Sequence, residues 1–168
     1  MKRILCLILA LTFLVLFPGC GQEEDPAIRF YYLRGEYIYG TEDGVIAPEE
    51  REIAVKDMGY LLELYLDGPQ TETLVSPFPK GTHLISTHMQ DGTLTLELSR
   101  EFAVLDDVKL SLAAGCIAST CFDLSDAVSV QILAYAGKKE VSITLNRDSL
   151  TLIDNSILNT PTEDPSGQ

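Results

Sequence analysis

The chain has 168 residues, of which 46% are hydrophobic and 22% charged, and its formal net charge is −13. This length fits one domain with a sizeable core. The acidic excess argues against nucleic-acid binding, which needs clustered Lys and Arg, and against electrostatic attachment to anionic lipid. We interpret the charge as a solvated, self-repelling surface. A surface for cations or a basic partner is the alternative.

The N-terminus combines three features of an exported chain. Met1-Lys2-Arg3 is basic, and Ile4–Phe17 is an uninterrupted apolar run of 14 residues. A membrane-spanning helix needs about 20 residues, so this run better fits the apolar region of a signal peptide. Pro18-Gly19-Cys20 follows and resembles a lipobox. We therefore predict a signal peptide over residues 1–19 and acyl chains on Cys20, whose attachment to the membrane needs more than one chain.

The lipobox match is imperfect, because Phe17 and Pro18 stand where Leu and a small residue are usual. Three interpretations stay open: lipidation of Cys20, release by ordinary cleavage, and an uncleaved anchor. All three place the domain outside the cytoplasm, at the cell membrane's outer face if Cys20 is lipidated. Removing residues 1–19 leaves 12 − 2 = 10 basic residues against 25 acidic ones, a charge of −15.

An acidic tether is predicted over residues 20–27, followed by a strand over Ile28–Leu33. Tyr37–Tyr39 is a further candidate strand, and Gly40–Glu50 is predicted as a loop because it is rich in Gly, Pro and acids. The aromatic residues of this region favour strand packing over an interface or sugar stacking. They are Phe30, Tyr31, Tyr32, Tyr37 and Tyr39.

A helix is predicted from about Val55 to Asp67, because apolar residues recur there at steps of three and four. Gly68-Pro69 ends it. Asp91-Gly92 then predicts a type I′ hairpin between Leu84–Gln90 and Thr93–Ser99. Its register places Met89 opposite Leu94, Thr87 opposite Leu96 and Ile85 opposite Leu98 on a mostly apolar face, with His88 opposite Thr95 on the polar face.

A second, largely buried helix begins at Asp106 or Asp107 and runs to about Phe122. Strands follow at Ala127–Tyr135 and at residues 141–145, and residues 155–168 are predicted to be disordered. The sequence thus predicts one α+β domain over residues 28–154, in the order strand, helix, hairpin, helix, strand. The predicted architecture is a two-layer sandwich, with two helices on one face of a small mixed sheet.

Cys116 and Cys121 are five residues apart, which on one helix turns their side chains about 140° from each other. That spacing disfavours a disulfide, and two cysteines are too few for a zinc site. We interpret both as small core residues, with an intermolecular bridge as the alternative.

No catalytic, cofactor-binding or metal-binding residue is predicted. A nucleophilic triad would need His83 or His88, and both are interpreted as solvated. Asp106-Asp107 is better explained by helix capping than by paired acid–base chemistry. The acidic group of Glu42, Asp43, Glu49 and Glu50 lacks the spaced ligands of a calcium loop, so solvation is favoured there.

The middle of the chain resembles the GerMN domain family over residues 50–145. Leu64–Pro69 is similar to its "LL-x-GP" helix end, and Phe78–Thr82 to its "P-x-G-T" entry to the hairpin. Asp91–Ser99 is similar to its "DG-x-hydrophobic-x-hydrophobic-D-LS" strand, with Glu97 in place of Asp, and Phe102 follows as in the family. Further likenesses are Ala118-Ser119-Thr120, Val128–Ile132 and Gly137-Lys138.

The resemblance implies a non-enzymatic interaction module of the cell envelope, in a family of secreted lipoproteins tied to sporulation and spore germination. It implies envelope proteins as partners, and a fold similar to ring-building modules of envelope assemblies. The partner-binding residues stay unknown. An envelope lipoprotein that binds a small solute or cell-wall glycan is the alternative, which would need a deep pocket with converging polar groups. A hydrolase is the third hypothesis.

Overall fold

The computed structural model describes residues 27–36 and 44–150. The predicted signal peptide, Cys20, the predicted tether up to residue 26, the candidate strand at Tyr37–Tyr39, Glu42 with Asp43, and the predicted disordered tail over residues 155–168 all lie outside these residues. The described elements are β1 (Ile28–Arg34), β2 (Ile46–Arg51), α1 (Met58–Leu66), β3 (Leu74–Val75), β4 (Leu84–Gln90), β5 (Thr93–Leu98), α2 (Asp107–Leu124), β6 (Ser129–Ala136) and β7 (Lys139–Asn146). Short 3₁₀ turns lie at Phe102–Val104 and Arg147–Ser149.

The strands form two sheets. Sheet 1 has the order β2-β1-β3 and is antiparallel, whereas sheet 2 has the order β4-β5-β6-β7 and is mixed. In sheet 2 only β5 and β6 run parallel, and α2 is the crossover between them. The α+β class with two helices is confirmed. The strands are divided between two sheets because β1 pairs with β2 and β3 rather than with the hairpin.

The prediction of a loop over Gly40–Glu50 is wrong for its last residues, because β2 begins at Ile46. Pro48 and the acids suggested a loop, but an edge strand tolerates proline. Ala47, Glu49 and Arg51 alternate inward and are buried, while Pro48 and Glu50 are exposed. Pairing with β1 therefore overrides the local composition.

Helix α1 starts later than predicted because Asp57 caps it, accepting the Tyr60 N–H at 2.9 Å. The stop at Gly68 is confirmed: its φ of 104° favours glycine, and its N–H donates to Tyr65 O at 3.1 Å. Asp106 occupies the N-cap position of α2, as predicted, although its side chain makes no capping hydrogen bond.

Helix α2 contacts strands of both sheets, including β1, β6 and β7. Residues 116–122 are consequently buried without interruption, which confirms the prediction of a largely buried helix. Its first turn departs from that prediction, because Val108 is 70% exposed.

The hairpin has the predicted turn, with φ of 49° at Asp91 and 77° at Gly92. The pairs Met89–Leu94, Thr87–Leu96 and His88–Thr95 are confirmed. The pair Ile85–Leu98 is wrong, because the register shifts between Leu84 and Ser86 and brings Leu84 opposite Leu98. A bulge adds one unpaired residue to a strand, and Ile85 is accordingly 56% exposed.

Candidate interaction surface

A buried polar cluster joins β1, β2 and α1. Its members are Tyr32, Glu49, Arg51 and Tyr65, each less than a tenth exposed. Arg51 and Glu49 form an ion pair, with the Arg51 Nε and Glu49 Oε1 atoms 2.5 Å apart. The guanidinium also donates to Gly68 O at 2.8 Å and to Tyr32 Oη at 3.2 Å, and it lies 4.9 Å from the centre of the Phe30 ring.

The second Glu49 oxygen accepts the backbone N–H groups of Gln70 and Thr71, at 2.9 and 2.8 Å. Burial alone would raise the pKa of Glu49, but the hydrogen bonds from Thr71 and Arg51 outweigh burial and lower that pKa below its ordinary value. Solvation was therefore the wrong prediction for this residue. Glu49 is an anchor for the turn that follows α1.

Two side chains close the free edge of β1 at Tyr31. The Tyr31 N–H donates to Thr120 Oγ1 of α2 at 2.9 Å, and its carbonyl accepts the Tyr65 hydroxyl of α1 at 2.8 Å. The Tyr31 hydroxyl donates to Asp123 at 3.0 Å, and Arg29 pairs with the same carboxylate. The edge is thus sealed by side chains rather than by another strand. The expectation of strand packing for Phe30, Tyr31 and Tyr32 agrees with these contacts.

The two cysteines are free and buried in α2. Burial raises the pKa of Cys116 to about 12 and that of Cys121 further, so neither thiol ionises at neutral pH. This agrees with their interpretation as small core residues. Neither is accessible to a second chain.

The histidines do not assemble a triad within the described residues. His83 Nδ1 lies 3.0 Å from Gly81 O, while Ser99 Oγ accepts the backbone N–H of His83 at 3.1 Å. His88 is exposed on β4. The Ser99 hydroxyl thus contacts the backbone of His83 and not its imidazole ring.

The residues that carry the family resemblance build turns and edges. Gly68, Gly81 and Gly92 have positive φ. Thr82 Oγ1 donates to Pro79 O at 2.9 Å, Phe102 is fully buried, and Thr120 seals β1. The motif residues hence specify turns, a strand edge and part of the core.

A shallow depression of about 440 Å³ lies at the C-terminal end of α2, lined by Phe122, Asp123, Leu124, Ser125, Asp126 and Arg147. Arg147 stacks on the Phe122 ring and donates to Phe122 O and Ser125 O at 2.9 and 2.8 Å. The guanidinium thus caps the helix C-terminus. The Nε and Nη2 atoms of Arg147 are bound to carbonyls, with Nε donating to Ala127 O at 3.0 Å, so this side chain has a structural role at the depression.

The outer face of sheet 2 is a polar surface that the described elements leave uncovered. Its side chains are Ser86, His88, Gln90, Thr93, Thr95, Glu97, Ser129, Gln131, Leu133, Tyr135, Glu140, Ser142, Thr144 and Asn146. Each is half-buried or exposed, and Lys and Arg do not occur in this set. Cross-strand hydrogen bonds order it, including Thr93–Ser129 at 2.8 Å and Thr95–Gln131 at 3.3 Å.

Sequence reasoning identified neither Arg51 nor Thr120 as important. Arg51 stood next to a predicted loop, and the only signal for it was the alternation of Ala47, Glu49 and Arg51. Thr120 stands out in the sequence only as part of the Ala118-Ser119-Thr120 motif. Residues 27–36 and 44–150 contain no group of three or more His, Cys, Asp or Glu side chains that could hold a metal ion. The helices in these ranges are not long and apolar enough to span a membrane.

Comparison with known proteins found matches among family models and solved structures. The family model Germane, described as sporulation and spore germination, matches residues 29–141. The first GerMN domain of the sporulation protein GerM from Bacillus subtilis aligns with a TM-score of 0.54 and 13% identity, covering 74% of this chain and 99% of that one. The tandem GerMN domains of the same protein align with a TM-score of 0.51 and 20% identity, covering 70% of this chain.

The chain spans only 44% of that tandem structure. A Clostridium perfringens protein with the provisional name of lipoprotein aligns over 73% of this chain and 89% of its own, with 22% identity and a TM-score of 0.42. A search among curated proteins found no match. At these identities the likeness to the two GerM structures establishes a shared fold, and the family model covers more than half of the 168 residues. This chain therefore belongs to the Germane family of sporulation and spore-germination domains, the GerMN family that its motifs resemble.

Proposed function

We propose that this chain is a non-enzymatic interaction module of the cell envelope, attached to the outer face of the membrane by acyl chains on Cys20, and acting in sporulation or spore germination. Family membership supports this setting. The basic start, the short apolar run Ile4–Phe17 and the cysteine directly after Gly19 support the location. Each methylene of the acyl chains that enters the bilayer contributes about 0.8 kcal/mol to attachment.

The open outer face of sheet 2 is the observation that carries the proposal of partner binding. It presents hydroxyl and amide groups in a fixed cross-strand arrangement, while α1 and α2 pack on the opposite face of the same sheet. Protein interfaces carry about one hydrogen bond per 100–200 Å² of buried area, and they do not need a cavity. A partner protein of the envelope fits this surface better than a small solute does, since a solute needs a concave site.

The proposal is tested by crosslinking and pull-down from membranes of growing and sporulating cells. Gln131→Arg places a long cation at the middle of the outer face, and it should reduce recovery of envelope proteins. Gln70→Arg makes the same substitution on an exposed turn beside sheet 1 and should leave recovery unchanged. Equal recovery with both variants would exclude the outer face. Recovery of glycan fragments without proteins would favour the glycan alternative.

Attachment through Cys20 has a separate test. Cys20→Ala removes the proposed acylation site, so the variant should appear in the medium or accumulate unprocessed. Metabolic labelling with a fatty acid should mark the wild-type chain alone. A Cys20→Ala chain that is processed and retained on membranes like wild type would contradict the lipid anchor, without bearing on the outer-face test.

A further inference from the structure

The edges of the two sheets differ in how they are protected from additional strands. Edge strand β2 contains Pro48, and edge strand β4 has a register shift at Ile85. Proline and bulges are standard means of preventing strand addition. Strand β7 has neither: it pairs with β6 in an unbroken register from Asn146 to Lys139. It is therefore the least protected long edge among the described strands.

The hydrogen-bond ladder between β6 and β7 shows which backbone groups of β7 point away from β6. The Arg147 N–H donates to Val128 O at 2.9 Å, next to the Ser129–Asn146 pair. Bonding alternates along an antiparallel strand, so residues 145, 143 and 141 bond β6, while Ser142 and Thr144 direct their N–H and C=O groups outward. No described backbone group pairs with these outward groups.

The side chains of β7 are arranged almost symmetrically about Ile143. Val141 and Leu145 flank it on the inner face, and Ser142 and Thr144 alternate with them on the outer face. Val141 is buried, whereas Ile143 and Leu145 are half-buried against the core. An added strand would complete their burial if it carried apolar residues at alternate positions. The sequence of β7 itself has that pattern in both directions.

We propose that β7 is a self-association site, where a second copy of this chain adds its own β7 antiparallel and continues sheet 2. Centred on Ile143, the pairing places Ile143 opposite its own counterpart and Val141 opposite Leu145 of the other copy. Ser142 and Thr144 then exchange backbone hydrogen bonds across the interface, because both carry outward groups. Glu140 meets Asn146, so no carboxylates oppose each other, and the interface is a closed two-fold one.

This pairing is weak in dilute solution. A single strand edge buries less area than a standard interface, and two copies each carry a net charge of −13. Attachment of both copies to one surface would raise their effective concentration and favour pairing without any new contact. Association therefore depends on local concentration, while the pairing register does not.

Variants of the full chain that each add one cysteine test the register by oxidative crosslinking, carried out on the cell fraction in which the protein is found. In a non-hydrogen-bonded antiparallel pair the Cα atoms are about 4.5 Å apart, which a disulfide can bridge. Ile143→Cys should give a disulfide-linked dimer that the wild type and His88→Cys, on the exposed edge strand β4, do not give. The buried Cys116 and Cys121 stay silent, and the wild-type lane reports any contribution of Cys6 or Cys20.

Charge substitutions at Ser142 and Thr144 test the same pairing independently. They leave the core intact, because both side chains are exposed. Ser142→Lys with Thr144→Lys opposes like charges and should abolish crosslinking by a bifunctional reagent. Ser142→Lys with Thr144→Glu opposes unlike charges in the proposed register and should retain it. Self-pairing through β7 would be overturned if Ile143→Cys gave no dimer or gave an adduct only with a different protein. It would also be overturned if both charge variants gave equal yields of crosslinked dimer.

Discussion

The buried polar cluster and the outer face of sheet 2 use polar residues in opposite ways. In the cluster, Glu49 and Arg51 are each less than a tenth exposed, and their polar groups have partners within the chain. On the outer face, Ser142 and Thr144 are exposed to solvent. Polar side chains therefore stabilise the fold at sheet 1, and at sheet 2 they remain available for another molecule.

The largest effect is expected from breaking the cluster. Arg51→Met should lower the free energy of unfolding by about 3–5 kcal/mol, because it leaves Glu49 buried without its cation. Chemical denaturation of wild type and variant measures the difference. Arg100→Met removes an exposed partner of Glu101 and should change stability by about 0.5 kcal/mol or less. Equal losses in the two variants would show that burial of the pair is unimportant.

A smaller loss is expected at the sealed edge of β1. Thr120→Val keeps the side-chain shape but removes the oxygen that accepts the Tyr31 N–H, so an amide is left unpaired. The expected loss is about 1–3 kcal/mol of unfolding free energy. Thr144→Val makes the same change on the outer face and should cost about 0.5 kcal/mol or less. Thermal or urea unfolding of the two variants separates these expectations, which a neutral Thr120→Val would contradict.

The smallest effect is expected on how the free energy of unfolding depends on pH. The pKa of Glu49 is lower in the folded chain than in the unfolded chain, so its contribution to stability is complete above the unfolded value. That contribution is lost as pH falls through the folded value. Glu49→Gln should therefore flatten the decline of stability below about pH 4.3, the ordinary pKa of Glu. Urea titrations at several pH values test this, with Glu50→Gln on the exposed side of β2 as the control. Parallel curves for wild type and Glu49→Gln would contradict it.

Local pattern was informative where neighbours along the chain decide the structure. Asp91-Gly92 predicted the hairpin turn, and the apolar spacing predicted α1 and the buried course of α2. The same reasoning failed at β2 and at Ile85. Pro48 suggested a loop at β2, because the pairing of this strand with β1 could not be inferred from the sequence. Alternation alone predicts an unbroken hairpin register, and the bulge at Ile85 shifts that register.

By itself, the sequence determined the α+β class, the two helices, the hairpin and the family motifs, because helical period, strand alternation and turn chemistry are local properties. Tertiary structure alone decided that the strands form two sheets, that Glu49 and Arg51 are buried together, and that Thr120 seals an edge 89 residues away at Tyr31. It also decided which polar face stays open. These features depend on contacts between distant residues, where a buried polar group takes whichever partner the packing supplies.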